Sequence, residues 1–328
     1  MKVCVVGVGG IGGTIAARLA ASGHEVRLIA RGANLRALQA DGLEFVDHVG
    51  PHSGRYRLPA GNDPAGYGVQ DCVVLAMKAH QLPAALPNLS DLLGPNTVVV
   101  PAINGLPWWY FQTSADRWQG LQLRALDPAG TMAQQVPARA IVGCVVHLAA
   151  ELRAPGQVHC TAGRRLILGE PDGAQSERLR ALVAAWQATG FALESSSSIR
   201  RDIWVKLIGN CSFNPVAALT GYRMDQICAD EEVLSLIRAM LVEGAAVAAA
   251  VGIEVGISPE QRIGIARELG GARISMLQDL EKGRSLEIAP IVGAVIELAA
   301  QVHVAVPTIR ALYALLQARA RALNLPTD

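Results

Sequence analysis

The chain lacks any uninterrupted apolar run of about 18 residues, the length that a bilayer-spanning helix requires. A stretch such as Ile288 to Ala300 is broken by Pro290 and Glu297, so no transmembrane helix and no membrane partner are expected. Neither sign of charge is in excess: 29 Lys and Arg stand against 28 Asp and Glu, a formal net charge of +1. With no basic run either, a nucleic-acid partner is not expected. The six cysteines (Cys4, Cys72, Cys144, Cys160, Cys211 and Cys228) form no C-x-x-C pair. Four of them lie in apolar surroundings, where a reduced thiol behaves as a small hydrophobe. The seven histidines lack metal-ligand spacing; His48 and His52 are four apart but flank Gly50 and Pro51 in a loop. No metal is expected, and reduced thiols point to the cytoplasm. Lys2 ahead of apolar residues could imitate a signal peptide, but the glycine cluster behind it reads as mature, folded sequence. Internal repeats and low-complexity tails are absent as well.

What the chain does have is length for two cores and a pattern that changes partway along. Its 328 residues suit two domains. In the first part, Lys2 to Val6, Glu25 to Ala30, Leu43 to Val46, Asp71 to Met77 and Thr97 to Pro101 read as strands. Several are unalternated apolar runs separated by helical stretches, as in a parallel sheet covered on both faces. Ala140 to Leu148 and Arg165 to Leu168 look like antiparallel additions, around a turn at Ala154 to Val158. A helix over Ser176 to Ala188 and a strand over Phe191 to Glu194 complete this part. The polar link Ser195 to Ser198 follows, and from Ile199 onward the periodicity is helical. Helices are expected over 204–219, 231–251, 259–269, 287–303 and 308–323, with Pro259 and Pro307 at positions where a helix start tolerates proline. The expected domains are therefore 1–197 and 198–328.

The first strand runs straight into Gly7-Val8-Gly9-Gly10-Ile11-Gly12, a G-x-G-x-x-G turn, and then a helix expected from Thr14. Gly7 permits the tight turn, Gly9 lets the backbone approach a pyrophosphate, and Gly12 lets the helix pack closely on the sheet. The helix amides and dipole would face the phosphates. An enzyme that prefers NAD usually has an acidic residue about twenty positions after the glycines, for the ribose 2′-hydroxyl. Here the second strand ends at Arg31. A guanidinium there suits a 2′-phosphate, which favours NADP(H).

Lys78 and Asn104 follow the third and fourth apolar strands, where an open parallel sheet delivers residues to its carboxyl-end crevice. In the second part, Lys206, Asn210 and Asn214 recur every fourth residue, on one helix face at about 6 Å per step. Asparagine is a poor helix former, and a Lys-Asn-Asn stripe between apolar faces reads better as a cleft wall than as a solvated surface. Ser275 and Asp279 share a later helix face, Gly283 ends that helix, and Glu287 heads the next.

These motifs together resemble the ketopantoate reductases. The likeness runs from Met1 to about Tyr313 and rests on the glycine turn, Met77-Lys78-Ala79, Asn104-Gly105, W-x-K-L-x-x-N-x-x-x-N-P at 204–215, and S-M-L-Q-D with E-I at 275–288. The resemblance implies an α/β fold: an N-terminal Rossmann-type doubly wound sheet, then an all-α domain like the C-terminal domain of 6-phosphogluconate dehydrogenase. It implies an NADP(H)-binding domain at 1–197, a substrate and dimerisation domain at 198–328, and NADPH as cofactor. By the same resemblance, Lys206 is the general acid and Glu287 holds the substrate hydroxyl. Asn210 and Asn214 line the substrate cleft, and Ser275 binds the substrate carboxylate. Lys78 and Asn104 bridge cofactor and substrate, and Arg31 takes the 2′-phosphate. The implied reaction is reduction of ketopantoate to pantoate, for pantothenate and coenzyme A biosynthesis.

The chain departs from the family's pattern at Met224, Ala272, Ala289 and Val292, where polar residues are usual. The segment Trp108-Trp109-Tyr110 is also bulkier and more apolar. Two other readings stay open: a reductase of another 2-keto acid or imine, and an NADP(H)-binding sensor without catalysis. A homodimer through the alanine-rich helices is compatible with the sequence.

Overall fold

The computed structural model describes residues 1–113 and 117–326. It divides into two compact units, neither continuous in sequence. One comprises Met1–Ile103, Gln112–Gln119 and Thr131–Ile199; the other comprises Asn104–Phe111, Gly120–Gly130 and Arg200–Asp328. No shift in composition marks the exchanges at 104 and 120, so a single division near 197 does not reveal them.

The first unit runs β1 (Lys2–Val6), α1 (Gly10–Ala21), β2 (Glu25–Ile29), α2 (Gly32–Asp41), β3 (Leu43–Asp47), β4 (Gly54–Tyr56), β5 (Ala60–Gly61) and β6 (Cys72–Leu75). It continues with α3 (Leu82–Ala85), β7 (Val98–Pro101), α4 (Met132–Gln135), β8 (Gly143–Ala154), β9 (Gln157–Gly169), α5 (Glu177–Trp186) and β10 (Ala192–Ser196). Five strands form a parallel sheet in the order β5-β2-β1-β6-β7, with Val5 opposite Leu28 on one side and Val74 on the other. Every residue of β6 and β7 is buried, which explains their unbroken apolar runs. Three glycines in the first half of α1, Gly10, Gly12 and Gly13, let that helix lie close to the sheet, and its Ile15, Ala16 and Leu19 are fully buried.

The remaining strands build a second sheet, β10-β9-β3-β4, with β8 also paired to β9. Three expectations about strands are corrected. The segments expected as additions to the parallel sheet form instead a long antiparallel hairpin, β8–β9, in this second sheet. The strand at Leu43 belongs there too, parallel to β9. The loop expected from about residue 47 to Asp63 contains the short strands β4 and β5. Which strands pair is decided by contacts remote in sequence, and strand composition is nearly silent about them.

The second unit contains α6 (Ile199–Thr220), whose residues from 200 onward belong to it, then α7 (Met224–Ala229), α8 (Glu231–Ala250), α9 (Pro259–Arg267) and α10 (Ser275–Glu281). A π-helical turn over Ala289–Gly293 leads into α11 (Ala294–Gln301), and α12 is Pro307–Ala322. Among its described residues there is no strand. Ser258 and Gln261 close a capping box on α9, with Pro259 in the first turn. Helix α8 requires a correction: it is long and apolar enough, by length and composition, to cross a membrane. Arg238 and Glu243 interrupt its sequence, and Leu234, Ile237, Met240, Leu241 and Val247 form a buried stripe at helical spacing. The Glu243 carboxylate accepts the Thr308 and Ile309 amides, both at 2.9 Å, capping α12.

Candidate active site

The glycine turn has the geometry that its sequence implies. Gly7 has a φ of +94°, and a Cβ on it would stand 2.8 Å from the Ala76 carbonyl oxygen. A Cβ on Gly12 would lie 1.9 Å from the Gly7 carbonyl oxygen, so this glycine is what lets α1 approach β1. At Gly9 a Cβ would meet nothing within 4 Å, which leaves open space for a bulky anion against the backbone. Helix α1 begins at Gly10, not Thr14, so the amides of Gly10, Ile11 and Gly12 are those without intrahelical acceptors. Val8 is buried behind the turn. Gly10 and Gly13 face the β8–β9 hairpin: their Cβ atoms would lie 2.3 Å from the Ala150 carbonyl oxygen and 2.6 Å from Val158 Cγ2.

Arg31 is exposed, in the position that caps α2, and makes no ion pair among the described residues. Lys78 is half-buried at the end of the Ala76-Met77 segment that lies against Gly7. The open backbone at Gly9, the first-turn amides of α1 and the unpaired Arg31 are chemically suited to NADPH: the amides to its pyrophosphate, the guanidinium to its 2′-phosphate.

In the second unit Lys206 Nζ donates to Asn104 Oδ1 at 2.8 Å. Asn104 reaches α6 because the next residue, Gly105, adopts a φ of +82° with its Cα pressed on the π turn; a Cβ there would lie 2.4 Å from the Pro290 carbonyl oxygen. The Leu106 amide donates to that same oxygen at 3.0 Å. Glu287, three residues before Pro290, is buried and has a φ of +53°, a conformation uncommon outside glycine. Asn210 and Lys206 are half-buried, and Asn214 is 3% exposed with its Nδ2 unpaired among the described residues. A buried amide donor without a partner costs about 1–3 kcal/mol, which is tolerable where a ligand or water supplies the acceptor. Cys211, beside Asn210, is no nucleophile: burial pushes its thiol up to about 12.

Ser275 opens α10 and is exposed; no hydrogen bond joins it or Asn210 to Lys206 or Asn104 among the described residues. The structure thus brings Lys206 and Asn104 into contact and seats the Asn104 loop on the turn after Glu287. The departures at Met224 and Ala272 are themselves paired, the Met224 amide donating to the Ala272 carbonyl at 3.1 Å. Two features escaped the sequence reading. Asn34 hydrogen-bonds the glycine turn through Val8, a contact for which only its place three residues after Arg31 is a hint. Arg262 lies on Gly209 of α6, where a Cβ would be 2.0 Å from its Nη2, and no pattern in α9 announces it. Among the described residues no group of three or more His, Cys, Asp or Glu is placed to hold a metal ion.

Known proteins resemble this chain over nearly its full length. The family model described as ketopantoate reductase PanE/ApbA matches residues 3–173, and that of its C-terminal part matches residues 198–320. A 2-dehydropantoate 2-reductase of Mesorhizobium japonicum is 42% identical over 318 residues, covering 97% of each chain. A solved structure that carries the name of a ketopantoate reductase, from Ralstonia solanacearum, is 40% identical with a TM-score of 0.93, covering 99% of each chain. A D-mandelate dehydrogenase solved with NADH and anilino(oxo)acetate shares the fold at 22% identity, with a TM-score of 0.84 over 99% of this chain and 100% of that one. With matches over both parts of the sequence, the chain belongs to the ketopantoate reductase family.

Proposed function

We propose that this protein reduces ketopantoate (2-dehydropantoate) to pantoate with NADPH, and that Lys206 is its proton donor. The observation that carries this reading is the Lys206–Asn104 hydrogen bond, which holds the Lys206 amine in place through the neutral amide oxygen of Asn104. NADPH, when bound, supplies the hydride to the C2 carbonyl carbon. Lys206 stabilises the negative charge that develops on the carbonyl oxygen and delivers the proton to it. Glu287 accepts a hydrogen bond from the substrate hydroxyl, its backbone placed by the turn that starts at Ile288. Asn210, Asn214 and Ser275 offer the neutral polar contacts, Ser275 to the carboxylate. Arg31 and the glycine turn hold the cofactor, with Lys78 and Asn104 towards the substrate.

Lys206→Ala tests the assignment: turnover is expected to fall by about 10²–10⁴, the usual contribution of a positioned general acid, with NADPH titration unchanged. Full activity in that variant overturns it. One observation favours a second reading, a more apolar 2-keto acid: Met224 and Val292 are both buried where the family carries polar residues. Following NADPH absorbance with ketopantoate against branched and aromatic 2-keto acids separates the two.

A homodimer through the helical unit belongs to the same proposal, supported by Val242 and Leu315, exposed on α8 and α12; light scattering at micromolar concentration checks it. So does a cytoplasmic location, supported by six free thiols of which five are buried.

A further inference from the structure

We infer that Asn34 is a positioning residue for the cofactor's pyrophosphate, acting through the Val8–Gly9 peptide. The inference rests on the reading of Gly7 to Gly12 as the NADPH turn. Asn34 is the third residue of α2, half-buried, and both ends of its amide are used. Its Nδ2 donates to the Val8 carbonyl oxygen at 2.8 Å, and its Oδ1 accepts the Gly156 amide, also at 2.8 Å. With a donor required at one end and an acceptor at the other, the amide has a single orientation.

The consequence follows from the planarity of the peptide. A trans peptide places its N–H on the edge opposite its C=O. While Asn34 holds the Val8 carbonyl towards α2, the Gly9 N–H is turned the other way. Released from that bond, a peptide beside glycine can flip at little steric cost, because glycine populates both signs of φ. A flip would exchange an N–H for a carbonyl on the edge that meets an anion, replacing attraction by repulsion.

The anchor at the other end is rigid. Gly156 occupies the two-residue turn of the β8–β9 hairpin with a φ of +76°, and its carbonyl accepts the Glu44 amide at 2.8 Å. The same hairpin presses on Gly10 and Gly13 through Ala150 and Val158. The second sheet is thus a back wall for the glycine turn, and Asn34 is the side chain that links the wall to the peptide.

The experiment is fluorescence titration of NADPH into the full-length parent, Asn34→Ala and Asn34→Asp, with competition by 2′-AMP, which carries the 2′-phosphate but no pyrophosphate. Losing the bond is expected to weaken NADPH about tenfold, the factor that corresponds to 1.4 kcal/mol. The 2′-AMP affinity, the KM for keto acid and the turnover at saturating NADPH are expected to stay at parent values. Asn34→Asp keeps an acceptor for Gly156 but turns the donor to Val8 into a charged acceptor, so it serves if the alanine variant does not fold, with a larger loss of NADPH affinity expected than for alanine. Parent-like NADPH affinity in a folded variant overturns the inference. Equal weakening of NADPH and 2′-AMP also overturns it, because the loss then runs through α2 and Arg31. A parent that fails to bind NADPH overturns the reading beneath it instead.

Discussion

Glu287 combines a buried carboxylate with a φ of +53°. For a residue with a Cβ that left-handed conformation costs roughly 1–2 kcal/mol, and strain of this kind clusters at functional sites. Nothing in the local sequence demands it, since glycine would serve the backbone better. The prediction separates the two demands. Glu287→Gly relieves the backbone but removes a buried side chain and its contacts, and turnover is expected to be lost. Glu287→Gln keeps the shape and removes the charge, and is expected to show a large loss of kcat. Steady-state rates check both, and a fully active glycine variant would remove Glu287 from the mechanism. At this scale the sequence was informative about chemistry and silent about conformation. Lys206 and Asn104 were each visible as residues, but their hydrogen bond spans 102 positions and depends on the seat that Gly105 finds on Pro290.

Helix α6 illustrates what could and could not be read among the elements. Its polar stripe was legible because Lys206, Asn210 and Asn214 follow the helical period. Its start at Ile199, five residues before Trp204, was not, because Arg200, Arg201 and Asp202 look like solvated link. Helix α7 was missed for its six residues, too few to establish a period. The parallel sheet was legible from runs such as Cys72 to Leu75, whereas the second sheet depends on pairings such as Phe45 with Val158. Packing between helices was equally hidden. Arg262 fills the notch at Gly209, its guanidinium 5.4 Å from the Phe213 ring, with no hydrogen bond or ion pair among the described residues. Burial holds its pKa below the ordinary guanidinium range. A cation–π contact contributes on the order of 1 kcal/mol, less than the desolvation of an unpaired charge costs. Arg262→Met is therefore expected to stabilise the protein by about 1 kcal/mol, read as a higher urea midpoint at constant slope. In that background Gly209→Ala is expected to add about 1 kcal/mol of helix propensity, because the clash with the guanidinium is gone. A lower midpoint in Arg262→Met would show that the guanidinium has a partner.

Over the whole molecule the thiols act together. Burial pushes Cys4 and Cys211 up to about 12, and it raises Cys72, Cys160 and Cys228 as well. A thiol in the unfolded chain ionises near its ordinary value, about 8.5. The neutral form is thus favoured in the fold, and each of these groups contributes stability that is complete below the unfolded value. As pH rises past it, the unfolded chain gives up protons that the folded chain retains, so stability falls with pH through the window up to about 12. The steepest loss for one such group is about 1.4 kcal/mol per pH unit. Urea midpoints are accordingly expected to be flat from pH 7 to 8 and to decline steadily above pH 9, and Cys211→Ala should flatten that decline. A decline of the same slope in Cys211→Ala would assign it to the tyrosines Tyr56 and Tyr67, whose pKa values burial also raises. The same burial predicts the reactivity of the native protein. Cys228, the one half-buried thiol, should react slowly with a disulfide reagent at pH 8, and the other five only when urea unfolds the chain. Rapid native-state labelling of more than one thiol would mean that one of the two cores opens far more readily than its packing implies.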